Sequence, residues 1–215
     1  MEIVKTTVSS MRCWKSARPD AWLRGVVLAL LVAAGLPGQA SSGASLDELR
    51  VEQTSDALLL FAQMHLRLAP AVEDALRKGI VVHFLTEAKV MRERWYWSDQ
   101  QLAAAERHTR LAYQPLTQRW RLNTSSEPIS ATDLGVGLTQ HYESLDDALA
   151  AVQRIAGWKI ASVAELAGNG RQYLQFRFRL DSGQLPRTFQ LGAVGQPDWH
   201  LSLERRIELV AEPAR

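Results

Sequence analysis

"LQFRFRLDSGQLPRTFQLGAVGQPDW", residues 174–199, opens with Leu174, Phe176, Phe178 and Leu180 at every second position and sets Arg177 and Arg179 between them. Successive side chains of a strand point to opposite faces, so this alternation predicts a strand with one apolar face on a core and one arginine face in water. Asp181-Ser182-Gly183 is a turn signal that ends it. Leu185 and Pro186 then begin an extended segment, whose Phe189 and Leu191 are expected to cover one end of a sheet before Trp199 opens the last strand.

The same two-residue period recurs on both sides. "LDELRVEQ" and "ALLLFAQMHLRL" read as two strands joined at Ser55-Asp56, with Leu60, Ala62, Met64, Leu66 and Leu68 on one face. "IVVHFLTEAKVMRERWYWSD" places Ile80, Val82, Phe84, Thr86, Ala88 and Val90 together and is long enough that a bend or bulge is expected near Glu87. "ERHTRLAYQPLTQRWRLNT" is a strand interrupted at Pro115 and followed by a second, with Trp120 and Leu122 inward and Arg119 and Arg121 outward. Two segments carry helix signals. "PAVEDALRKG" has Pro70 at the first position, acids early, bases late and Gly79 at the end. "SLDDALAAVQRIAGW" has Ser144 as N-cap, Asp147 three residues on, an apolar stripe Leu145, Leu149, Val152 and Ile155 or Ala156, and Gly157 as its terminator. Many strands with short turns and two short helices predict an α+β fold on a largely antiparallel sheet, sandwich-like or strongly curved.

The first 40 residues read as a secretory signal rather than as part of that fold. Arg12, Lys15, Arg18 and Arg24 precede the apolar run Gly25–Leu36, and Pro37-Gly38-Gln39-Ala40 supplies small residues for cleavage after Ala40. Twelve residues span about 18 Å as a helix, short of the roughly 30 Å of a bilayer core. The expectation is a periplasmic or otherwise exported protein; the alternative is an uncleaved inner-membrane anchor. A flexible linker at 41–46, one domain at 47–210 and a tail at 211–215 complete the division.

Removing the leader changes the charge. Five of the 25 basic residues and two of the 23 acidic ones lie in it, leaving 20 against 21. A near-neutral domain lacks the standing cationic excess that nucleic-acid binding exploits. The one cysteine, Cys13, belongs to the leader, so the expected mature chain has no disulfide, thiolate nucleophile or cysteine metal ligand. No phosphate-loop, zinc-protease or nucleophile-elbow motif occurs, and "GVG" at 135–137 is too short for a dinucleotide site, so no cofactor is expected. His65, His83, His108, His141 and His200 are scattered one per element without ligand spacing, though His65 and His83 are expected to neighbour each other across strands. Glu73-Asp74 and Asp146-Asp147 sit in first helical turns, where dipole and capping terms account for them. Asn123-Thr124-Ser125 matches a glycosylation acceptor.

The strongest constellation is cationic and aromatic: Arg92 and Arg94 beside Trp95 and Trp97, Arg119 and Arg121 around Trp120, Arg177 and Arg179 around Phe178. Two readings remain open. Arginine stems can cover the wet face of a sheet and pair with Glu87, Glu93 or Asp181, or the strands can form one basic face for an anionic partner such as lipid headgroups or an acidic protein domain.

"LLLFAQMHLRLAPAVEDALRKGIVVHFLTEAKVMRERWYW", "RLAYQPLTQRWRL", "YESLDDALAAVQRIAGWKI" and "FRFRLDSGQLPRTFQLGAVGQPDWHLS", in this order, resemble the proteobacterial domain of unknown function 4390 family over nearly the whole chain after the leader. The resemblance implies an envelope protein of a Gram-negative bacterium, with no assigned reaction and no catalytic residues to carry over. It also implies a sensory setting, since such families are encoded beside membrane histidine kinases of the nitrogen-regulation type. The expected function is a noncatalytic envelope protein that binds a protein partner. The alternative is a carrier of a lipid or other apolar ligand, in a cavity lined by Met64, Phe84, Leu149 and Phe178. An enzyme would require His83, His108 or Glu87 gathered in one cleft. Membrane contact is expected only through an uncleaved leader.

Overall fold

The computed structural model describes residues 43–96, 98–129, 137–185 and 197–209. The leader, Trp97, Pro186, Phe189, Leu191 and the 211–215 tail lie outside these residues.

Nine strands form two antiparallel sheets among the described residues. The smaller sheet has the order β1-β2-β7 and the larger β6-β5-β4-β3-β8-β9. The strands are β1 Gly43–Gln53, β2 Ala57–Arg67, β3 Val82–Arg92, β4 Gln100–Gln114, β5 Arg119–Ser125, β6 Leu138–Tyr142, β7 Arg154–Ser162, β8 Gln172–Leu180 and β9 Ser202–Leu209. Among the described residues two helices, α1 Pro70–Arg77 and α2 Leu145–Gln153, complete an α+β fold. β7 packs over β4, β1 approaches β9, and α2 lies against β2, β5 and β6.

Burial follows the two-residue period. Leu174, Phe176, Phe178 and Leu180 of β8 are buried with Val82, Phe84, Ala88 and Val90 of β3, and Leu60, Ala62, Met64 and Leu66 of β2 meet them from the smaller sheet. The Phe84 and Phe178 rings stack with centroids 5.6 Å apart. Among the described residues, the buried hydrophobic side chains run from Ala57 to Leu201.

Both helices begin as expected. Val72, Ala75 and Leu76 of α1 are buried, and Arg77 pairs with Glu73 at 3.3 Å and Asp74 at 3.7 Å. Ser144 Oγ accepts from the Asp147 amide at 3.0 Å and donates to the Asp147 carboxylate at 2.6 Å.

Several local expectations are corrected. β3 runs straight through Glu87, and its register shift lies between Val90 and Met91 instead. α2 ends at Gln153 rather than Gly157, because Arg154 and Ile155 already pair with Gln63 and Ala62 of β2. Edge pairing and the β-branched Ile155 outcompete one more helical turn. Gly157 instead sits within β7 at φ 63°, where Ala156 and Gly157 together face Phe61 as a bulge. Trp199 does not open a strand; it closes a short 3-10 turn, Pro197–Trp199, and its indole is buried before β9 starts at Ser202. β1 begins at Gly43, within the segment expected as linker, because its backbone pairs with Arg67. His65 faces Ser45 in the smaller sheet while His83 faces Arg110 in the larger one, so they are not neighbours.

With its whole described core downstream of the leader, the fragment 41–215 is expected to unfold in one cooperative step in urea. Phe176→Ala should cost it about 3–5 kcal/mol by deleting a fully buried ring. Arg177→Ala, one residue away on the wet face, should change stability by about 0.5 kcal/mol or less. Equal effects at the two positions would contradict the assigned faces.

Candidate functional site

Because β8 and β3 bury their even-numbered residues, register dictates what the outer face of the larger sheet carries. Across the strands it reads His141, Arg121, Ala112; then Thr139, Asn123, Arg110, His83; then Ser125, His108, Leu85, Arg179, Ser202; then Glu106, Glu87, Arg177, Glu204; then Ala104, Lys89, Gln175, Arg206. Arg107 falls on the opposite face, opposite Thr86, where burial pulls its guanidinium below its usual pKa.

The arginines of this face divide into two groups. On β8 and β9 they are neutralised. Arg177 pairs with Glu204 at 3.2 Å, Arg179 lies 3.8 Å from Glu87 and 3.9 Å from Asp181, and Arg206 pairs with Glu93. Hydrogen bonds from Gln175 and Arg177 hold the Glu204 carboxyl below its usual pKa. Glu87 faces Glu106 directly, a like-charge pair that Lys89 and Arg179 offset beside Glu87.

On β4 and β5 the balance differs. Arg110, Arg119 and Arg121 have no carboxylate partner among the described residues, and Arg121 Nε donates to the Asn123 side-chain oxygen at 3.2 Å. Arg110, Ala112, Gln114, Arg121 and Asn123 line a shallow depression of about 120 Å³. That is below the roughly 300 Å³ at which drug-sized ligand pockets begin, and it suits one or two carboxylate side chains or a small anion. Asn123 itself is buried in the middle of β5 between Arg110 and Thr139, which leaves no room for a glycan.

His83 and His108 border this cationic area. His83 is pushed below its usual pKa first by burial and then by the charge of Arg110 and by His108, against the opposing pull of Asp181. His108 Nε2 lies 3.3 Å from Glu106 without the geometry of a directed hydrogen bond. The two histidines and Glu87 therefore share one sheet face, in neighbouring rows rather than around a cleft. Among the described residues no three His, Cys, Asp or Glu side chains group as a metal site. Met64, Phe84, Leu149 and Phe178 all belong to the packed core.

Arg92 and Arg94 belong elsewhere, at the base of the β3–β4 hairpin. Arg92 donates to the carbonyls of Leu166 at 3.3 Å and Ala167 at 2.7 Å, which fastens the loop after β7. Gly168 sits against that guanidinium at φ 123°, and a Cβ there would approach Arg92 Nη2 to 2.9 Å. The Arg94 amide and the Tyr173 hydroxyl donate to Asp99 at 3.3 and 2.7 Å, Arg94 also donates to Gln100, and the Arg206 guanidinium lies 3.5 Å above the Tyr173 ring. The Tyr173 hydroxyl holds Asp99 below its usual pKa and is itself raised by the same bond.

Residues 41–208 match the family model for the domain of unknown function DUF4390. The chain belongs to the DUF4390 family. No curated protein and no solved structure matches it. For this DUF4390 protein the sheet's register, rather than a relative's chemistry, marks the site. Of the six arginines singled out in the sequence, Arg119 and Arg121 lie in the unneutralised group, Arg177 and Arg179 in the neutralised one, and Arg92 and Arg94 at the hairpin base. Arg110 escaped sequence reading because "RHTRLAY" has no flanking aromatic pair; the signal that could have found it is its parity with His108 and Ala112.

The depressed pKa of His83 sets a pH dependence. The unfolded histidine binds a proton near 6.5 while the folded one resists it, so this residue's contribution is full above 6.5 and is lost as pH falls below that value. Urea unfolding at about pH 7.5 and pH 5 should show that His83→Gln loses less stability on acidification than the parent. An unchanged difference between the two pH values would refute the assignment.

Proposed function

We propose that this DUF4390 protein is an exported, noncatalytic envelope protein that holds an acidic segment of a protein partner on the β4–β5 part of its outer sheet face. The observation that carries this reading is the unneutralised trio Arg110, Arg119 and Arg121 around the Arg110–Arg121 depression, on a face whose other arginines have carboxylates. A guanidinium presents a planar fork that two carboxylate oxygens can satisfy together, so acidic side chains are the matching chemistry. Export rests on the leader pattern, with release to the periplasm after cleavage near Ala40. An envelope partner, for instance the outer domain of a membrane sensor kinase, is what the family's setting suggests. Absence of catalysis is supported by the spread of His83, His108 and Glu87 over three neighbouring rows of one sheet face rather than around a cleft, which leaves Glu87 beside Lys89 and Arg179.

A synthetic glutamate decamer is the probe for this reading, titrated into the fragment 41–215 and followed by amide chemical shifts. Shifts should concentrate on Arg110, Arg119, Arg121 and Asn123 and weaken with added salt. The double variant Arg110→Glu/Arg121→Glu should bind about tenfold or more weakly, equivalent to about 1.4 kcal/mol, while Arg177→Gln leaves affinity within about twofold. Shifts spread evenly over the sheet, or centred on β8, would refute the proposal.

A further inference from the structure

The tip of the β3–β4 hairpin carries two aromatic rings that no described residue covers. Trp95 is 94% and Tyr96 67% exposed, and the rings meet edge to face with centroids 5.0 Å apart. Leu116 and Leu138 are also exposed, but singly and on other turns and strands, whereas Trp95 and Tyr96 form a contiguous pair, and a contiguous pair of large apolar rings held in solvent marks a contact surface. The hairpin base beneath is fixed by Arg92 on the Leu166 and Ala167 carbonyls, by the Glu93 amide on the Arg171 carbonyl at 2.9 Å, and by Asp99 on the Arg94 amide. The rings therefore project from an anchored stalk, with Arg94 and Arg171 exposed at the same end.

Size decides which occupant fits. Two aromatic side chains can bury about 300–500 Å², well short of the roughly 800 Å² per partner that a stable protein interface needs. A bilayer interface needs no such area, since Trp and Tyr partition into the headgroup region ring by ring and flanking cations meet anionic lipid. We infer that the Trp95–Tyr96 tip is a membrane-interface anchor that docks this domain on an anionic lipid surface.

The topology gives the anchored domain an orientation. His83 and Arg92 lie nine positions apart on β3, so at about 3.3 Å per residue the Arg110–Arg121 depression stands on the order of 30 Å from the tip. The β1–β2 turn lies at the tip end, since the Val163 amide ahead of Leu166 bonds the Asp56 carbonyl at 3.1 Å. The chain thus enters β1 at Gly43 from the opposite end, where Gly43 faces Arg67. Anchorage through the tip accordingly suits a chain freed of its leader, and it leaves the arginine depression on the order of 30 Å from the lipid contact.

The test uses the fragment 41–215, first shown to unfold cooperatively, with sedimentable vesicles of phosphatidylcholine and phosphatidylglycerol at about 3:1. The parent should bind them, and Trp95→Ala/Tyr96→Ala should bind at least about tenfold more weakly with an unchanged urea midpoint. Arg94→Gln should weaken binding to these vesicles by about fivefold and leave binding to pure phosphatidylcholine unchanged. Failure of the parent to bind either vesicle, or equal binding by the double variant, would overturn the inference. Arg110→Glu/Arg121→Glu should bind vesicles like the parent; its loss of vesicle binding would place the lipid contact on the sheet face and overturn the tip assignment as well.

Discussion

The packing of β8 on β3 is the constraint from which the rest follows. Phe176 and Phe178 can be buried against the smaller sheet only if Phe178 lies over Phe84, and the 5.6 Å stack of those rings locks the two strands in register. A slip of one residue would send four apolar side chains of β8 into water and two arginines into the core, at a cost of many kcal/mol. Together with the registers of β3 on β4, β4 on β5 and β8 on β9, that register sets the cross-strand pairs of the outer face. Arg177 must meet Glu87 and Glu204, and Arg110 must meet His83 and Asn123.

The electrostatic division of the outer face is thus a consequence of core packing. Exposed ion pairs such as Arg177–Glu204 add little to stability, because solvent screens them. Their larger effect is on the field, because they cancel the charge of β8 and β9 locally. Arg110, Arg119 and Arg121 have no such cancellation among the described residues, so a domain of near-zero net charge still presents one cationic area. Burial keeps His83 beside it neutral at neutral pH, which confines the standing charge to the guanidinium groups.

Much of this was legible in the chain. The two-residue period placed the inward rows of β2, β3, β5 and β8, and Pro70, Ser144 and Pro115 marked two helix starts and a turn. What the sequence withheld depends on partners distant along the chain. Whether Ile155 extends a helix or joins a strand is decided by Ala62 across the sheet, and local helical periodicity cannot register that competition. The capping box of Ser162 and Glu165, which organises the short turn after β7, was hidden because Ser162 also reads as a strand residue. The candidate site was half legible: outward arginines were visible, but which of them meet a carboxylate is a property of register, and Glu204 lies 27 residues from Arg177.

The outer face carries one open cationic area on β4 and β5 and a neutralised one on β8 and β9. Paramagnetic relaxation of the amide protons of fragment 41–215 by anionic, neutral and cationic nitroxide cosolutes measures that field residue by residue. The anionic cosolute should enhance relaxation most at Arg110, Ala112, Arg121 and Asn123, with anionic and cationic effects nearly equal along Gln175, Arg177 and Arg179. A maximum over β8, or a uniform response across the sheet, would contradict the account.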